Sequence, residues 1–223
     1  MDGQKMSPSA PKVKAATGRV SVYIDGFNLY HAIEKIRKNH LKWLNIYAFA
    51  TSFLRQGEAL AGVHFFTALT YGDADKQARH IALMEALQAT GVKVNRSDFK
   101  KAKKYCRTQD RYCKFWEEKQ SDVAIAISMI SDAMSGATDR IVLVTADTDQ
   151  IPAVQFIKNN YPHVELSLAI PPGRKDEARD LGKCFVDPRE IEEPRIAANL
   201  FGASIMGPEG RPIKRPAPYD PPA

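Results

Sequence analysis

Residues 20–28 of the chain read Val-Ser-Val-Tyr-Ile-Asp-Gly-Phe-Asn. The first five are β-branched or aromatic apart from one serine, a composition typical of a buried strand. Gly26 permits the close backbone turn that must follow such a strand. Apolar residues then recur on one stripe of a predicted helix over residues 29–37. The stretch therefore predicts a strand, a turn that begins at Asp25, and a helix.

The same alternation continues along the 223 residues. Asn45 is placed to cap a second helix and Gly91 to end a third. Further strands are predicted over residues 63–71, from 92 onward, and over 141–146, 164–170 and 184–186, and further helices over 45–55, 73–90, 122–134 and 151–160. Alternating strands and helices favour an α/β fold with a mostly parallel, doubly wound sheet.

Several aspartates lie where these strands end or where a helix begins, namely Asp25, Asp122, Asp147 and Asp149. In an open α/β sheet the carboxyl ends of neighbouring strands converge on one crevice. Carboxylates gathered there repel one another and cannot all stay ionised unaided. A hard divalent cation such as Mg²⁺ or Mn²⁺ relieves that repulsion and accepts oxygen ligands.

Two of these residues have a simpler alternative, because an aspartate before a helix can serve only as its cap. This applies to Asp25 and to Asp149. The spacing of Asp147 and Asp149 fits a cap less well, since alternate residues of a strand-end turn can point to one side and share an ion. Asn28 is placed to reach back over the crevice with an amide that can position a water or a phosphate oxygen.

The chain as a whole is basic, with a net charge of +6 and a pI near 9.2. An acidic pit in a basic surface suits an enzyme that holds a phosphate backbone and cleaves it with a metal ion. No apolar run approaches the roughly 20 residues that a membrane helix needs, so no membrane association and a cytoplasmic location are expected. The three cysteines make a poor disulfide framework, and the gap between Cys106 and Cys113 is too wide for a usual zinc hairpin.

A basic, aromatic insert over residues 97–118 precedes Asp122. Basic side chains neutralise phosphates, and aromatic rings stack on unpaired bases. The alternative is a solvated charged loop whose aromatic residues fill local core. The residues expected to contact RNA are Lys100, Lys101, Lys103, Lys104, Tyr105, Arg107, Arg111, Tyr112, Lys114 and Lys119.

The domain limits follow from composition. Composition predicts a disordered leader over residues 1–18 and a single α/β domain over residues 19–187. Residues 188–223 are rich in proline, glycine and charge, so an extended or disordered tail is expected there. A homodimer is compatible with the sequence.

Three segments together resemble the NYN domain, a branch of the PIN-like nuclease superfamily with bacterial LabA-like and limkain-type members. They are residues 23–29 (Tyr-Ile-Asp-Gly-Phe-Asn-Leu), 118–124 (Glu-Lys-Gln-Ser-Asp-Val-Ala) and 143–152 (Leu-Val-Thr-Ala-Asp-Thr-Asp-Gln-Ile-Pro). The last motif usually reads Ser-Gly-Asp-Ser-Asp-Phe, so this chain lacks its glycine and its aromatic residue.

The resemblance implies a PIN-like three-layer α/β/α sandwich. It also implies metal-binding acids at Asp25, Asp122, Asp147 and Asp149, a catalytic contribution from Asn28, and Mg²⁺- or Mn²⁺-dependent RNA cleavage. Asp132, almost three helical turns beyond Asp122, is expected to be structural. The expected function is an endoribonuclease that leaves 5′-phosphate and 3′-hydroxyl ends on single-stranded RNA or on RNA with exposed loops.

Two other functions compete with this one. The first is an RNA-binding regulatory module on the same fold that needs no metal. The second is a phosphatase of the haloacid dehalogenase type, suggested by the Asp-x-Asp pair. That class carries its pair after the first strand, whereas here Asp147 and Asp149 come late in the chain.

Overall fold

The structure is a computed structural model and describes residues 18–69, 72–106 and 111–222. Its centre is a seven-stranded sheet in the order β4-β3-β2-β1-β5-β6-β7. All neighbouring strands are parallel except the antiparallel pair β3 and β4. The strands are β1 (Gly18–Asp25), β2 (Glu58–Ala68), β3 (Lys93–Cys106), β4 (Arg111–Lys119), β5 (Arg140–Val144), β6 (Glu165–Ile170) and β7 (Arg189–Glu190).

Helices cover both faces of this sheet. They are α1 (Gly26–Lys35), α2 (Ile46–Thr51), α3 (Ala74–Ala89), α4 (Ser121–Met134), α5 (Ile151–Asn160), α6 (Arg179–Gly182) and α7 (Glu193–Ala197), with 3₁₀ turns at Asn39–Lys42, Thr148–Gln150 and Ala217–Tyr219. Among the residues described, no helix is long and apolar enough to cross a membrane.

Two apolar cores separate the layers. One lies between the sheet and α1, α2, α3 and α7, and the other lies between the sheet and α4, α5 and α6. Strand β1 contributes side chains to both cores, because Val22 and Ile24 face the first core while Tyr23 faces the second. The predicted three-layer α/β/α sandwich with a mostly parallel sheet is thus confirmed.

Helix starts follow the capping residues that the sequence supplies. The side chains of Asp25, Asn45 and Asp73 each accept a hydrogen bond from the backbone N–H three residues later. Gly91, with a φ of 87°, follows the end of α3 as predicted. Among the helices, the predicted bounds differ mainly at α1, which starts at Gly26 rather than residue 29, and at α2, which ends at Thr51. Among the strands, β2 was predicted over residues 63–71 but spans Glu58–Ala68.

The basic, aromatic insert is a hairpin rather than the charged loop considered as an alternative. Strands β3 and β4 pair in antiparallel register from Asp98 opposite Lys119 to Cys106 opposite Arg111. Residues 107–110, between the two strands, lie outside the described part of the chain, as do residues 1–17 and with them nearly all of the predicted leader.

Residues 184–186 were predicted as a strand, and that prediction is wrong. Cys184 and Phe185 form turns by donating backbone hydrogen bonds to Leu181 and Gly182, at the end of α6. The Val186 side chain is fully exposed, so it adds nothing to an apolar strand. The last strand of the sheet instead forms at β7, where the N–H of Ile191 also donates to the carbonyl of Ile170.

The segment after Asp187, predicted to be extended or disordered, folds back onto the first core. Ile196, Phe201 and Tyr219 are buried there. The N–H of Phe201 donates to the carbonyl of Trp43, and the Trp43 indole donates to the carbonyl of Gly202. A small hairpin of β8 (Ser204–Met206) and β9 (Pro212–Lys214) follows. The prediction failed because composition does not reveal which apolar residues find a partner surface.

This packing predicts unequal effects of two truncations in the same segment. Phe201→Ala should lower the free energy of unfolding by about 3–5 kcal/mol, because a buried aromatic ring leaves a cavity. The matched change Met206→Ala, at a side chain 67% exposed, should stay within about 0.5 kcal/mol. Urea denaturation followed by circular dichroism measures both. Equal, negligible effects would mean that the segment is disordered after all.

Candidate metal centre

Three carboxylates meet at the carboxyl edge of the sheet. Asp122, Asp147 and Asp149 each contribute one oxygen, and these oxygens lie within 4.8 Å of one another. Asp122 is in the first turn of α4, whereas the other two follow β5. We call these three residues the carboxylate cluster. The structure therefore brings together three of the four predicted acids.

The turn after β5 sets the spacing of two members of the cluster. The Asp147 side chain accepts a hydrogen bond of 2.9 Å from the N–H of Asp149 and so caps the short 3₁₀ turn. Helix α5 then begins at Ile151 without any side-chain cap. The alternative in which Asp149 serves only as the cap of that helix therefore has no support in the geometry.

Asp25 lies outside the carboxylate cluster. It is 6% exposed, and its two oxygens accept hydrogen bonds of 3.0 Å from the N–H of Asn28 and 2.9 Å from the hydroxyl of Thr145. The same hydroxyl accepts a hydrogen bond of 3.1 Å from the N–H of Asp147. Asp25 thus caps α1 and connects to the cluster through one threonine. Its role as a metal ligand stays a prediction.

Asn28 makes a second hydrogen bond between the ends of β1 and β5. Its amide oxygen accepts a hydrogen bond of 3.2 Å from the N–H of Ala146 and is buried. In this arrangement the amide holds the turn that carries Asp147. The predicted contact of Asn28 with a water or phosphate oxygen remains a prediction.

Gln150 is a residue of the site that the sequence interpretation did not single out. Its side chain is 1% exposed, and its Nε2 donates a hydrogen bond of 3.1 Å to the carbonyl of Asp122. The bond joins the start of α4 to the turn after β5. Its Oε1 is buried and finds no hydrogen-bond partner among the described residues. The sequence did contain a sign of this role, because Gln150 stands where the last motif usually has an aromatic residue.

The electrostatics of the cluster reflect its crowding. Burial, and after it the charges of Asp147 and Asp149, raise the pKa of the Asp122 carboxyl above its ordinary value. The donor set consists of carboxylate oxygens, with no histidine or cysteine in the group. Such a set fits a hard divalent cation such as Mg²⁺ or Mn²⁺ better than Zn²⁺. The residues present therefore suit the metal that the sequence implied.

Asp132 lies in the last turns of α4, remote along the helix from Asp122. Its carboxylate accepts a hydrogen bond from the hydroxyl of Tyr23, whose ring stacks on His64 at 4.8 Å between centroids. This carboxylate helps to hold α4 on the sheet, which agrees with the structural role expected for Asp132.

The expected RNA contacts fall on the β3–β4 hairpin. Tyr105 and Tyr112 lie opposite each other, 48% and 69% exposed, with their rings edge to face at 5.4 Å. Arg111 is also exposed. Arg107 lies outside the described residues, as do the side chains of Lys100, Lys101, Lys103, Lys104, Lys114 and Lys119. Two partly exposed aromatic rings thus lie side by side on the hairpin.

A model of the NYN domain family matches residues 19–188. The chain belongs to the NYN domain family. This membership confirms the resemblance seen in the three motifs and implies a nuclease-like, RNA-related function. Each acid of the carboxylate cluster lies within one of the motifs that carried the resemblance.

Two individual proteins are similar to this NYN chain. One is the 6-hydroxy-3-succinoylpyridine 3-monooxygenase HspA of Pseudomonas putida, at 28% identity, with 69% of this chain and 59% of that protein covered. The chain therefore spans less than two thirds of that relative's length. The other is a protein of unknown function from Vibrio parahaemolyticus, with a TM-score of 0.55, 17% identity, and coverage of 85% of this chain and 99% of that chain. The second similarity is one of fold.

The crowding of the carboxylate cluster predicts an unusual response to charge removal. Without metal, Asp122→Asn should raise the free energy of unfolding at pH 7, because the folded state holds this ionised carboxylate at a cost. A raised folded pKa penalises the ionised form, so the gain should disappear as the pH falls below about 4, where the acid is protonated in both states. Thermal melting in EDTA across pH measures the effect.

The matched control is Asp139→Asn. The hydrogen bond and charge of Arg19 lower the pKa of the Asp139 carboxyl to about 2. A lowered folded pKa stabilises the folded state above the unfolded pKa, so this variant should melt lower at pH 7. If Asp122→Asn also melts lower, its carboxylate is a structural cap and the repulsion argument is wrong.

Proposed function

We propose that the protein is a metal-dependent endoribonuclease that hydrolyses phosphodiester bonds of RNA and leaves 5′-phosphate and 3′-hydroxyl ends. The observation that carries the proposal is the convergence of Asp122, Asp147 and Asp149 within 4.8 Å at the carboxyl edge of the sheet. The family membership supports the same class of chemistry.

In this proposal the carboxylate cluster holds Mg²⁺ or Mn²⁺. Such an ion lowers the pKa of water and stabilises charge that develops on phosphate oxygens. The chain's own residues provide the scaffold. Thr145, held by Asp25, supports the backbone of Asp147, and Gln150 ties that turn to the start of α4. Neighbours that orient ligands in this way commonly contribute about 10–100-fold to affinity or activity.

The substrate fits the charge of the chain. A net charge of +6 favours a polyanion, and the exposed rings of Tyr105 and Tyr112 can stack on unpaired bases. We therefore propose single-stranded RNA, or structured RNA with exposed loops, as the substrate, with the β3–β4 hairpin as its path.

The Pseudomonas relative bears the name of a different activity, a monooxygenase. Its identity to this chain is 28%, and the chain covers 59% of its length. With so partial a similarity, the carboxylate cluster is the stronger guide to the activity of this chain. A binding module without catalysis is the rival function, and it needs the hairpin but not the cluster.

The proposal predicts metal-dependent cleavage that depends on one carboxylate. Structured and single-stranded RNA incubated with the protein and Mn²⁺ should yield new 5′-phosphate ends, detected by ligation and sequencing. Asp147→Asn should reduce the rate by roughly 100-fold or more, since a direct ligand should matter at least as much as the residues that orient it. Asp176→Asn, at an exposed acid outside the cluster, should cleave normally.

Titration of Mn²⁺ by calorimetry separates the two functions. The endoribonuclease should show a metal site that is lost in Asp147→Asn and retained in Asp176→Asn. RNA binding without any cleavage by a protein that binds Mn²⁺ poorly would establish the binding module instead. Equal cleavage by both variants would remove the cluster from the mechanism.

The hairpin predicts two distinct reductions of RNA affinity. Replacing Tyr105 and Tyr112 by alanine should weaken the binding of single-stranded RNA. The loss should be about 1–3 kcal/mol of binding free energy for each base that no longer stacks on a ring. The salt dependence should stay constant, because the same number of counterions is released. Replacing Lys103 and Lys114, which pair in register, by glutamine should instead reduce the log–log salt slope by about 0.7 for each phosphate that is no longer neutralised.

These affinities are best measured in the Asp147→Asn background, where cleavage does not interfere. Tyr47→Ala is the control, since this tyrosine is 42% exposed on α2, away from the hairpin. If all variants bind like the parent at every salt concentration, RNA follows another path across the protein.

A further inference from the structure

A cavity of about 270 Å³ lies between α1, α3 and the C-terminal segment. Its walls are mostly apolar and include Leu29, Ile33, Leu44, Phe65, Leu83 and Tyr219. We call it the aromatic cavity, because Phe27 and Tyr30 also contribute rings. Concave, mainly apolar sites with a few convergent polar groups are the usual form of small-molecule sites in proteins.

The aromatic cavity is separate from the carboxylate cluster. It lies on the sheet face covered by α1 and α3, whereas the cluster lies at the starts of α4 and α5. One wall comes from Tyr219, which is 8% exposed and lies beyond residue 188, where the family match ends. The cavity is therefore completed by a segment outside the matched NYN domain, and the proposed nuclease chemistry does not use it.

Two lysines give the cavity a positive side. The amino group of Lys42, whose side chain is 11% exposed, lies 3.2 Å from a Glu34 carboxylate oxygen and 4.9 Å from the centre of the Tyr30 ring. The amino group of Lys76 lies over the same ring at 5.4 Å and makes no ion pair with any residue that the structure describes. The charges of both lysines favour the ionised form of Glu34, so the three side chains together leave one positive charge for an anion.

A neutral polar pair also lines the cavity. The Nε2 atom of His80 is 3.0 Å from the hydroxyl of Thr67. Burial, and after it the charges of Arg96 and Lys76, lower the pKa of His80 to about 4. At neutral pH this histidine is therefore uncharged and can exchange a hydrogen bond with a hydroxyl group or a ring nitrogen.

We propose that the aromatic cavity binds a small planar aromatic acid, with its ring between the apolar walls and its anionic group at Lys76. Aromatic walls suit a flat ring, and a ring edge that carries a hydroxyl or a nitrogen can reach the Thr67 and His80 pair. The volume lies just below the roughly 300–1,000 Å³ of sites for drug-sized ligands. It therefore favours a single ring with a short acidic substituent over a nucleotide. This inference does not depend on the proposed nuclease activity.

Calorimetry or ligand-observed NMR with four probes tests the site in the full chain. We expect saturable binding of 4-hydroxybenzoate. The uncharged 4-hydroxybenzamide should bind roughly tenfold more weakly, because it cannot make the charge-assisted hydrogen bond with Lys76. Acetate, an anion without a ring, should not saturate. Uridine 5′-monophosphate that binds more tightly than 4-hydroxybenzoate would overturn the assignment to a small aromatic acid.

Two variants locate the binding. Lys76→Met keeps the apolar stem but removes the charge, and it should reduce the affinity for 4-hydroxybenzoate roughly tenfold while leaving that for 4-hydroxybenzamide unchanged. Leu83→Phe should reduce the affinity for both 4-hydroxybenzoate and 4-hydroxybenzamide, because the larger side chain fills part of the cavity. Lys183→Met, at an exposed lysine that follows α6, is the matched control and should bind like the parent.

The proposal is overturned if no probe saturates in the parent, if both aromatic probes bind equally, or if Lys76→Met and Lys183→Met behave alike. Circular dichroism and Mn²⁺ titration of each variant provide readouts unrelated to the cavity. Both should match those of the parent. The lower affinity of Lys76→Met for 4-hydroxybenzoate would then arise from a change in the aromatic cavity itself.

Discussion

The site depends on a set of hydrogen bonds that ties the ends of β1 and β5 together. The Thr145 hydroxyl donates to Asp25, and the N–H of Ala146 donates to Asn28, so that the start of α1 and the turn after β5 become one unit. These strands are neighbours in the sheet, with Ile24 paired to Val144 just before the two turns. Buried polar networks of this kind hold a unique geometry when their members are satisfied.

Once the two turns are joined, the position of the carboxylates follows. The N–H of Asp147 bonds to the same threonine hydroxyl, and Gln150 reaches across to the carbonyl of Asp122. The scaffold thus holds Asp122 partly buried and beside two other acids, and its pKa is raised first by that burial and then by the charges of Asp147 and Asp149. A cation that bound to acids arranged in this way would not first have to gather its ligands, which would reduce the cost of binding. The mutual repulsion of these acids is the corresponding cost to stability.

Several features could be predicted because they depend on local chemistry. Asp25 and Asn45 cap helices by bonds to a backbone N–H three residues away, so the sequence alone reveals them. Other features depend on distant partners. Phe201 is buried in the first core, where its ring packs beside that of Trp43, 158 positions earlier in the chain. The aromatic cavity likewise needs Tyr219 to meet α1, and no local pattern announces that contact.

The sequence by itself determined the α/β class, the order of most strands and helices, and the family. It also predicted four converging acids, of which Asp122, Asp147 and Asp149 form the cluster. Strand ends of a parallel sheet share one edge, so acids placed there by the sequence lie in the same region of the fold. Only the tertiary structure decided that Asp25 acts through Thr145 rather than within the cluster, and that Gln150 joins the two halves of the site. Those roles depend on distances of about 3 Å between residues more than 25 positions apart. Such distances are set by packing of the whole sheet and its helices, and no local pattern encodes them.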